Sequence, residues 1–535
     1  MRPTFLGLEM SKRTIQLSQK ALDITGSNLS NSKTEGYTRQ EVDVGALYFN
    51  KFAYWQTTSS KMAISGQGAI GMGVDQVRDP YIDKRYREST PSVAEYSTKA
   101  DVLSEVEDVL DNFTKEGITY ALDTFKTAIS NYAERPDSEE LASIVRNQAF
   151  NITNLFHSFY TDLENLKESN LEALDASIED TNNIIERIVE YNKSIVKEYT
   201  AMATGKLGEY NSVTGGYGPN EMLDERNLLL DELSYKGNIT VYDNADGSVK
   251  VIMDGVEIIN GEKYEKLYMR GSTKISGEFS SELQRNYAAY DAAVLRWTSG
   301  DNAEFQSGEL KAYVDILNGN GVYATGFQNG SYGIPYYESA MSAFAHTFAN
   351  FLNEFNGAVA DGVVVDESRL LFCTNDYADG DLKYEEKDMS INNIRIADAW
   401  MNKATMIGEV KDEETGLWTL TLDGNHVNQL TEGINKKALD FGGRGDYEGT
   451  AYDYLLFLSN RIGQNIDFYN SRHEAAYETA NAILDSRDSV SGVSETEEGI
   501  NMLTYQNWYN ASARLMTALD DALDRLINNT GRVGL

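Results

Sequence analysis

The sequence predicts a mainly α fold with β-rich portions, built as a discontinuous multidomain chain. Paired terminal coiled-coil helices enclose a helical and mixed body that carries a small inserted β domain. Three observations lead there. Both ends carry apolar residues at seven-residue spacing, the seam of a supercoiled helix pair. The stretch from Asp137 to Thr204 holds neither Gly nor Pro. Residues 357–447 lose the helical period and are rich in Gly, Asp, Asn and Thr. The expected domains are 1–36 with 497–535, 37–356 with 448–496, and 357–447.

The first element is a helix from about Thr4 to Leu29. Leu8, Ile15, Leu22 and Leu29 form one heptad row, and Met10, Leu17 and Ile24 a second. Ser11, Ser18 and Thr25 between them are small enough for a second helix to approach closely. The following Ser-Asn-Ser-Lys-Thr-Glu-Gly-Tyr run, ending at Tyr37, is turn chemistry.

Helices are expected at about 92–113 and 118–134, then over 137–204. Asp137 is the expected N-cap of the long helix, with Glu140 completing a capping box. A break near Ser169-Asn170 is an open alternative. Residues 238–255 alternate around Asn244-Ala245-Asp246-Gly247 and read as a hairpin. Further helices are expected at 339–356 and from Asp453 to Arg487, with short strands between them, such as Leu417 to Thr421.

The C-terminal helix mirrors the first. Met502, Tyr509, Met516 and Leu523 form one row; Tyr505, Ser512, Leu519 and Leu526 form its neighbour. No Gly or Pro interrupts Ile500 to Thr530, and Gly531 supplies a stop. An ordinary amphipathic helix packed on its own domain remains the plainer alternative. Residues 1–40 carry a net charge of +3 and residues 495–535 one of −3, so the ends are weakly complementary.

The composition excludes several function classes. A formal charge of −36 over 535 residues disfavours a nucleic-acid partner, whose phosphates such a surface repels. No apolar run approaches the roughly 18–20 residues that cross a bilayer, so no membrane insertion is expected. The N-terminal residues lack the apolar block of a secretory signal, which implies another export route if the protein leaves the cell. A single cysteine, Cys373, permits no intrachain disulfide and reads as a small buried hydrophobe.

No catalytic or cofactor set emerges. His157, His346, His426 and His473 lack metal-ligand spacing. The Gly-x-Gly-x-x-Gly at Gly66 to Gly71 leads towards Asp79-Pro80 rather than a helix, so its glycines suit a loop or bent strand. Asp376 to Asp381 lacks the spacing of a calcium loop. Expected are no enzyme, no cofactor and no metal. A large chain with sticky ends and no reactive centre reads as a structural subunit.

Five stretches carry a resemblance. Asn28-Leu29-Ser30-Asn31 with Gly36-Tyr37-Thr38-Arg39-Gln40 resembles the signature after the first helix of the flagellar axial proteins, in the form of the hook-associated branch. Ser491-Gly492-Val493-Ser494-Glu495, with Tyr505-Gln506 and Ala511 to Arg514, is similar to that family's C-terminal signature; Trp508 departs from this signature and Ser30 from the first one. Gly71-Met72-Gly73-Val74, Leu223-Asp224-Glu225-Arg226 and Ser307-Gly308-Glu309-Leu310 agree.

The resemblance implies a junction subunit of the bacterial flagellum, set between hook and filament and extracellular, exported without a cleaved signal by the type III apparatus. It implies copies of the chain in a ring of about eleven, joined by contacts that generate helical order. Other implied partners are the hook protein, the second hook–filament junction protein and a cytoplasmic export chaperone at the C-terminal helix. The expected assembly interface is Leu8, Ile15, Leu22 and Leu29 against Met502, Tyr505, Tyr509, Met516, Leu519, Leu523 and Leu526. Asn28, Asn31, Gly36 and Tyr37 are expected to shape the turn beyond the first helix. Alternatives are another axial subunit (hook, rod or flagellin-like), an enzyme domain in the insertion, or a secreted glycan-binding module there using Trp400 and Trp418.

Overall fold

The computed structural model describes residues 4–46, 68–203, 217–269, 293–326, 328–360, 363–374, 389–412, 417–420, 424–435, 439–440 and 447–529. They are mainly helical, with small antiparallel sheets. The chain forms two compact units. One comprises Met1–Pro91, Asp180–Leu267 and Ala476–Leu535; the other Ser92–Glu179 and Tyr268–Ala475.

The first unit opens with α1 (Thr4–Ser30), followed by the strands β1 (Gln40–Ala46) and β2 (Ala69–Gln76). The strands pair from Gln40↔Gln76 to Ala46↔Ala69, with a bulge between Asp43 and Val44. Val42 and Val74 face each other in that ladder and close a core with Leu17, Ala21 and Ile24 of α1. The buried hydroxyls of α1 need no outside partner. Ser11, Ser18 and Thr25 each donate to the carbonyl four residues back, at 3.0, 2.7 and 2.9 Å.

The helix α2 (Pro80–Asp111) runs through Pro91 and ends in a π-helical turn at Asn112–Ile118, before α3 (Thr119–Glu134). The expected helix at 92–113 therefore begins 12 residues earlier. Proline in a helix interior costs about 3 kcal/mol; here Tyr86, Arg87, Thr90 and Pro91 are buried, and their packing outweighs it.

The long helix α4 (Glu139–Ala203) is unbroken over 65 residues. Its N-cap is Ser138, whose hydroxyl accepts from Leu141 N–H at 3.4 Å, rather than Asp137. Asp137 lies in the preceding turn, and the register moves by one residue. No break occurs at Ser169-Asn170, where the Asn170 amide donates back to the Leu166 carbonyl at 2.9 Å within the continuous helix.

After α5 (Asn220–Lys236) the hairpin forms as expected: β3 (Ile239–Asp243) pairs with β4 (Val249–Met253) from Ile239↔Met253 to Asp243↔Val249. Two more strands, β5 (Val256–Asn260) and β6 (Lys263–Tyr264), extend it to a four-stranded sheet. Asp254 and Gly255, at φ 46° and 91°, make the tight two-residue turn between β4 and β5 that favours left-handed residues.

The second unit is built around aromatic rings. After α6 (Glu309–Asn318), the helix α7 (Ile334–Phe355) brings Phe344 and Phe348 against Phe125, Phe156 and Phe372, with Trp400 edge-on to Phe372. Trp400 is thus a core residue. Trp418, by contrast, carries the Arg369 guanidinium 4.1 Å over its ring. Cys373 is fully buried. Within residues 357–447 the structure describes two-stranded sheets, such as Phe372–Thr374 with Ile394–Ile396, together with helices α8 (Asp398–Met401) and α9 (Gly424–Ile434). Asp376 to Asp381 and Gly66 lie outside the described residues.

The chain closes with α10 (Ala451–Ser491) and α11 (Glu495–Asn529), separated by the turn Gly492-Val493-Ser494. α11 starts five residues before Ile500. The Ser494 hydroxyl accepts from Glu497 N–H at 3.4 Å, and Glu495, Glu497 and Glu498 sit in the first turn, where negative charge meets the positive helix end.

Candidate assembly interface

α1 and α11 pack antiparallel. At one end a methyl group on Gly7 would stand 3.1 Å from Leu519 Cδ1; at the other, the Asn28 amide donates to Glu498 at 3.1 Å. The same 21-residue step separates these anchors on both helices, so the pair stays in register along its length. The α1 face on this line is Gly7, Ser11, Thr14, Ser18, Ala21, Thr25 and Asn28. The leucine row at 8, 15, 22 and 29 lies one residue, about 100°, round the helix.

This placement differs from the expected one in a specific way. Leu8, Ile15 and Leu22 are half-buried, but Leu29 is 40% exposed. On α11 the half-buried residues are Met502, Tyr505, Tyr509, Met516, Leu519 and Leu523, while Leu526 is 52% exposed. Tyr505 packs on the Leu17–Ala21–Ile24 core. The line that joins the two contacts with α11, at Gly7 and Asn28, runs through small residues, which lets the helices approach closely. The outer face of α11 remains apolar: Ile500, Leu503, Trp508, Leu515 and Ile527 are all exposed.

The turn beyond α1 is held by Asn28, which is 1% exposed. Its amide donates to the Gln40 carbonyl at 2.9 Å as well as to Glu498. Its carbonyl accepts from Gln40 N–H at 3.0 Å and Tyr37 O–H at 2.9 Å. One side chain therefore fastens β1, the turn tyrosine and α11 together. Asn31 bonds back to the Ser27 carbonyl at 3.1 Å, and Gly36 adopts φ +77°, which favours glycine.

Sequence reasoning assigned no role to the polar residues that secure this turn to α5. Asp224 accepts from Thr38 N–H at 3.2 Å and from the Gln76 amide at 2.8 Å. Burial pushes its carboxyl up to about 6, against the pull of those hydrogen bonds and of Arg78. The Asn220 amide reaches the Val74 carbonyl at 3.1 Å. Arg226, two residues on from Asp224, donates to Asn192 at 3.0 Å and to the Gly247 carbonyl at 2.8 Å. Leu223-Asp224-Glu225-Arg226 was singled out as a motif, but an acidic and a basic residue on a helix ordinarily read as surface.

A buried ion network lies alongside. Asp231 takes Arg87 at 2.7 Å and Arg487 at 2.6 Å, Asp83 takes Arg78 at 2.5 Å, and the Arg487 guanidinium lies 4.5 Å over the Tyr86 ring. Between it, the turn after α1 and the α10–α11 turn there is a cavity of about 740 Å³. Nothing in this arrangement resembles a reactive centre. Among the described residues no group of three or more His, Cys, Asp or Glu could hold a metal, and no helix is long and apolar enough to cross a membrane.

Residues 103–367 match the family model described as the flagellar hook-associated protein FlgK helical domain. Flagellar hook-associated protein 1 of Bacillus subtilis (strain 168) is 28% identical, over 99% of both chains. The protein of that name from Escherichia coli (strain K12) is 21% identical, over 96% of this chain and 98% of its own. The chain is similar to flagellar hook-associated protein 1 over nearly its whole length. Its fold is also that of the flagellar hook junction protein FlgK from Burkholderia pseudomallei, at a TM-score of 0.52 and 12% identity, covering 76% of this chain and all of that one. Against the curated members of the hook-associated protein 1 family, the alignment runs almost from end to end, terminal helices included.

Proposed function

We propose that the chain is a structural subunit of the flagellum that joins hook to filament and assembles through α1 and α11. The observation that carries this reading is the near end-to-end match to hook-associated protein 1 sequences. The helix pair supplies the physical means. Its inner face is closed, yet α11 still shows water a run of apolar side chains from Ile500 to Ile527. Such a stripe is sheltered only when neighbours cover it.

On this reading the neighbours are copies of the chain, in a ring of about eleven held by non-closing, head-to-tail contacts. The hook protein and the second junction protein lie on either side. The assembly interface comprises the heptad rows of α1 and α11, together with the turn at Asn28, Asn31, Gly36 and Tyr37. Before export, a cytoplasmic chaperone would cover α11. The work is mechanical, not enzymatic.

The test is a truncation and a point change in cells that build flagella. Removing residues 500–535 is expected to abolish the hook–filament junction while the second unit still folds. Leu519→Asp is expected to do the same, and Asp301→Ala, in the second unit, to leave motility intact. Truncated chains that still connected hook to filament would end the proposal.

A further inference from the structure

The cavity of about 740 Å³ at the root of the helix pair has no role in the packing described so far. Its lining includes Glu35, Tyr37, Glu232, Tyr235, Asp488 and Ser491. The ion pairs of its arginines are already complete: Arg39 with Glu497, Arg78 with Asp83, Arg487 with Asp231. Its remaining charged lining residues are Lys33, Glu35, Glu232 and Asp488, three acidic against one basic. Glu35, Glu232 and Asp488 are exposed at its rim and form no ion pair among the described residues. Partial burial raises the Glu232 carboxyl against the pull of Arg187, and the neighbouring acids Asp180, Glu35 and Glu225 add to the rise. Ser491 is 8% exposed, and its hydroxyl has no hydrogen-bond partner. The site is acidic at the mouth and has a spare hydroxyl in its wall, which suits a cationic side chain arriving on a polypeptide.

The helix pair carries such cations. Lys12 and Arg514 are exposed and form no ion pair among the described residues. They stand at the same height on the paired helices, given the register set by Gly7 with Leu519 and Asn28 with Glu498. Arg514 follows Ile500, Leu503, Asn507 and Asn510 at helical spacing, so it shares the exposed face of α11 with Ile500 and Leu503. The cavity opens beside Glu497, at the start of that same face. The 16 residues from Glu498 to Arg514 span on the order of 25 Å at 1.5 Å per residue.

We infer that this cavity is the socket for a second copy of the chain, displaced along the helix axis, whose Arg514 and Lys12 seat against Glu35, Glu232 and Asp488 while its apolar helix face covers that of the first. The inference rests on the proposed self-assembly and adds to it a contact and a stagger. The socket supplies direction: apolar stripes alone could slide, whereas a charge seated in an acidic mouth fixes the offset.

The test uses the full chain with Cys373→Ser, which removes its single thiol. Cells express one copy carrying Arg514→Cys and another carrying Glu232→Cys, and sheared flagella are treated with a short bismaleimide. Linked dimers are expected about tenfold above those from a pairing with Asp246→Cys, because held proximity raises effective concentration to the millimolar range. A second arm reverses charge. Arg514→Glu with Lys12→Glu should prevent incorporation, and Glu35→Lys with Glu232→Lys on the same chain should restore it. Flagella that contain both cysteine variants yet yield no linked dimer overturn the socket and leave the junction reading standing. Chains absent from flagella altogether, with or without substitutions, overturn both.

Discussion

Asn28 shows how one side chain can decide a turn. Two donors and one carbonyl oxygen make four hydrogen bonds in a site closed to water. Asn28→Ala would leave Gln40 N–H, Gln40 C=O, Tyr37 O–H and Glu498 short of partners, and an unmade buried bond costs more than a made one returns. The expected loss is about 2–4 kcal/mol, measured by denaturant unfolding of the full chain followed by far-UV circular dichroism. Asp224, on α5, adds a pH dependence of definite sign. Its carboxyl titrates at about 6 in the folded chain, above the ordinary aspartate value. Between those values the folded state binds the extra proton, so this group's contribution to stability is complete at the acid end and fades as pH rises through 6. Asp224→Asn removes the titration. The stability difference between Asp224→Asn and the native chain is expected to grow in the variant's favour from pH 4 to pH 7; a difference independent of pH would show that Asp224 is not held in this state.

At the level of elements, the same device recurs wherever a helix must hold irregular chain. Asn182 clasps both the N–H and the C=O of Leu267, Asn318 does so with Ala293, and Asn353 takes the backbone of Leu371 and Phe372. None of this was legible, because an asparagine on an apolar helix face gives no sign of which distant segment it meets. The helices themselves were legible, since their period is local: α1, α4 and α11 lie where heptads and the missing glycines put them. What the period could not give was rotation. Leu8, Ile15 and Leu22 look like the seam; the two contacts that locate α11, at Gly7 and Asn28, fall on the small row beside them, where Ser11, Ser18 and Thr25 bond to their own carbonyls. That rotation makes Gly7 a sensitive position. Gly7→Ala should be close to neutral, as helix propensity offsets a contact that Leu519 can relieve. Gly7→Val should push α11 away and cost about 1–3 kcal/mol. Equal stabilities of the two variants in thermal unfolding would place α11 elsewhere.

The whole chain combines two compact units, and three of its helices, α2, α4 and α10, contribute residues to both. A chain of this kind does not have to unfold in one step. The first unit depends on polar clasps at Asn28 and Asp224 and on a buried ion network; the second has its own clasps and a buried Lys99–Asp315 pair around an aromatic core. Damage to one clasp should therefore open the first unit while the second stays closed. The single cysteine makes this measurable, since Cys373 is buried in the second unit, where burial also pushes its thiol up and slows reaction. In the Asn28→Ala chain, rising denaturant should remove part of the helical signal first, with Cys373 still protected from a thiol reagent. Thiol reactivity should follow at a higher concentration, unchanged from the native chain. If Cys373 instead becomes reactive at the same lowered midpoint, the long helices transmit the loss, and the two units unfold as one.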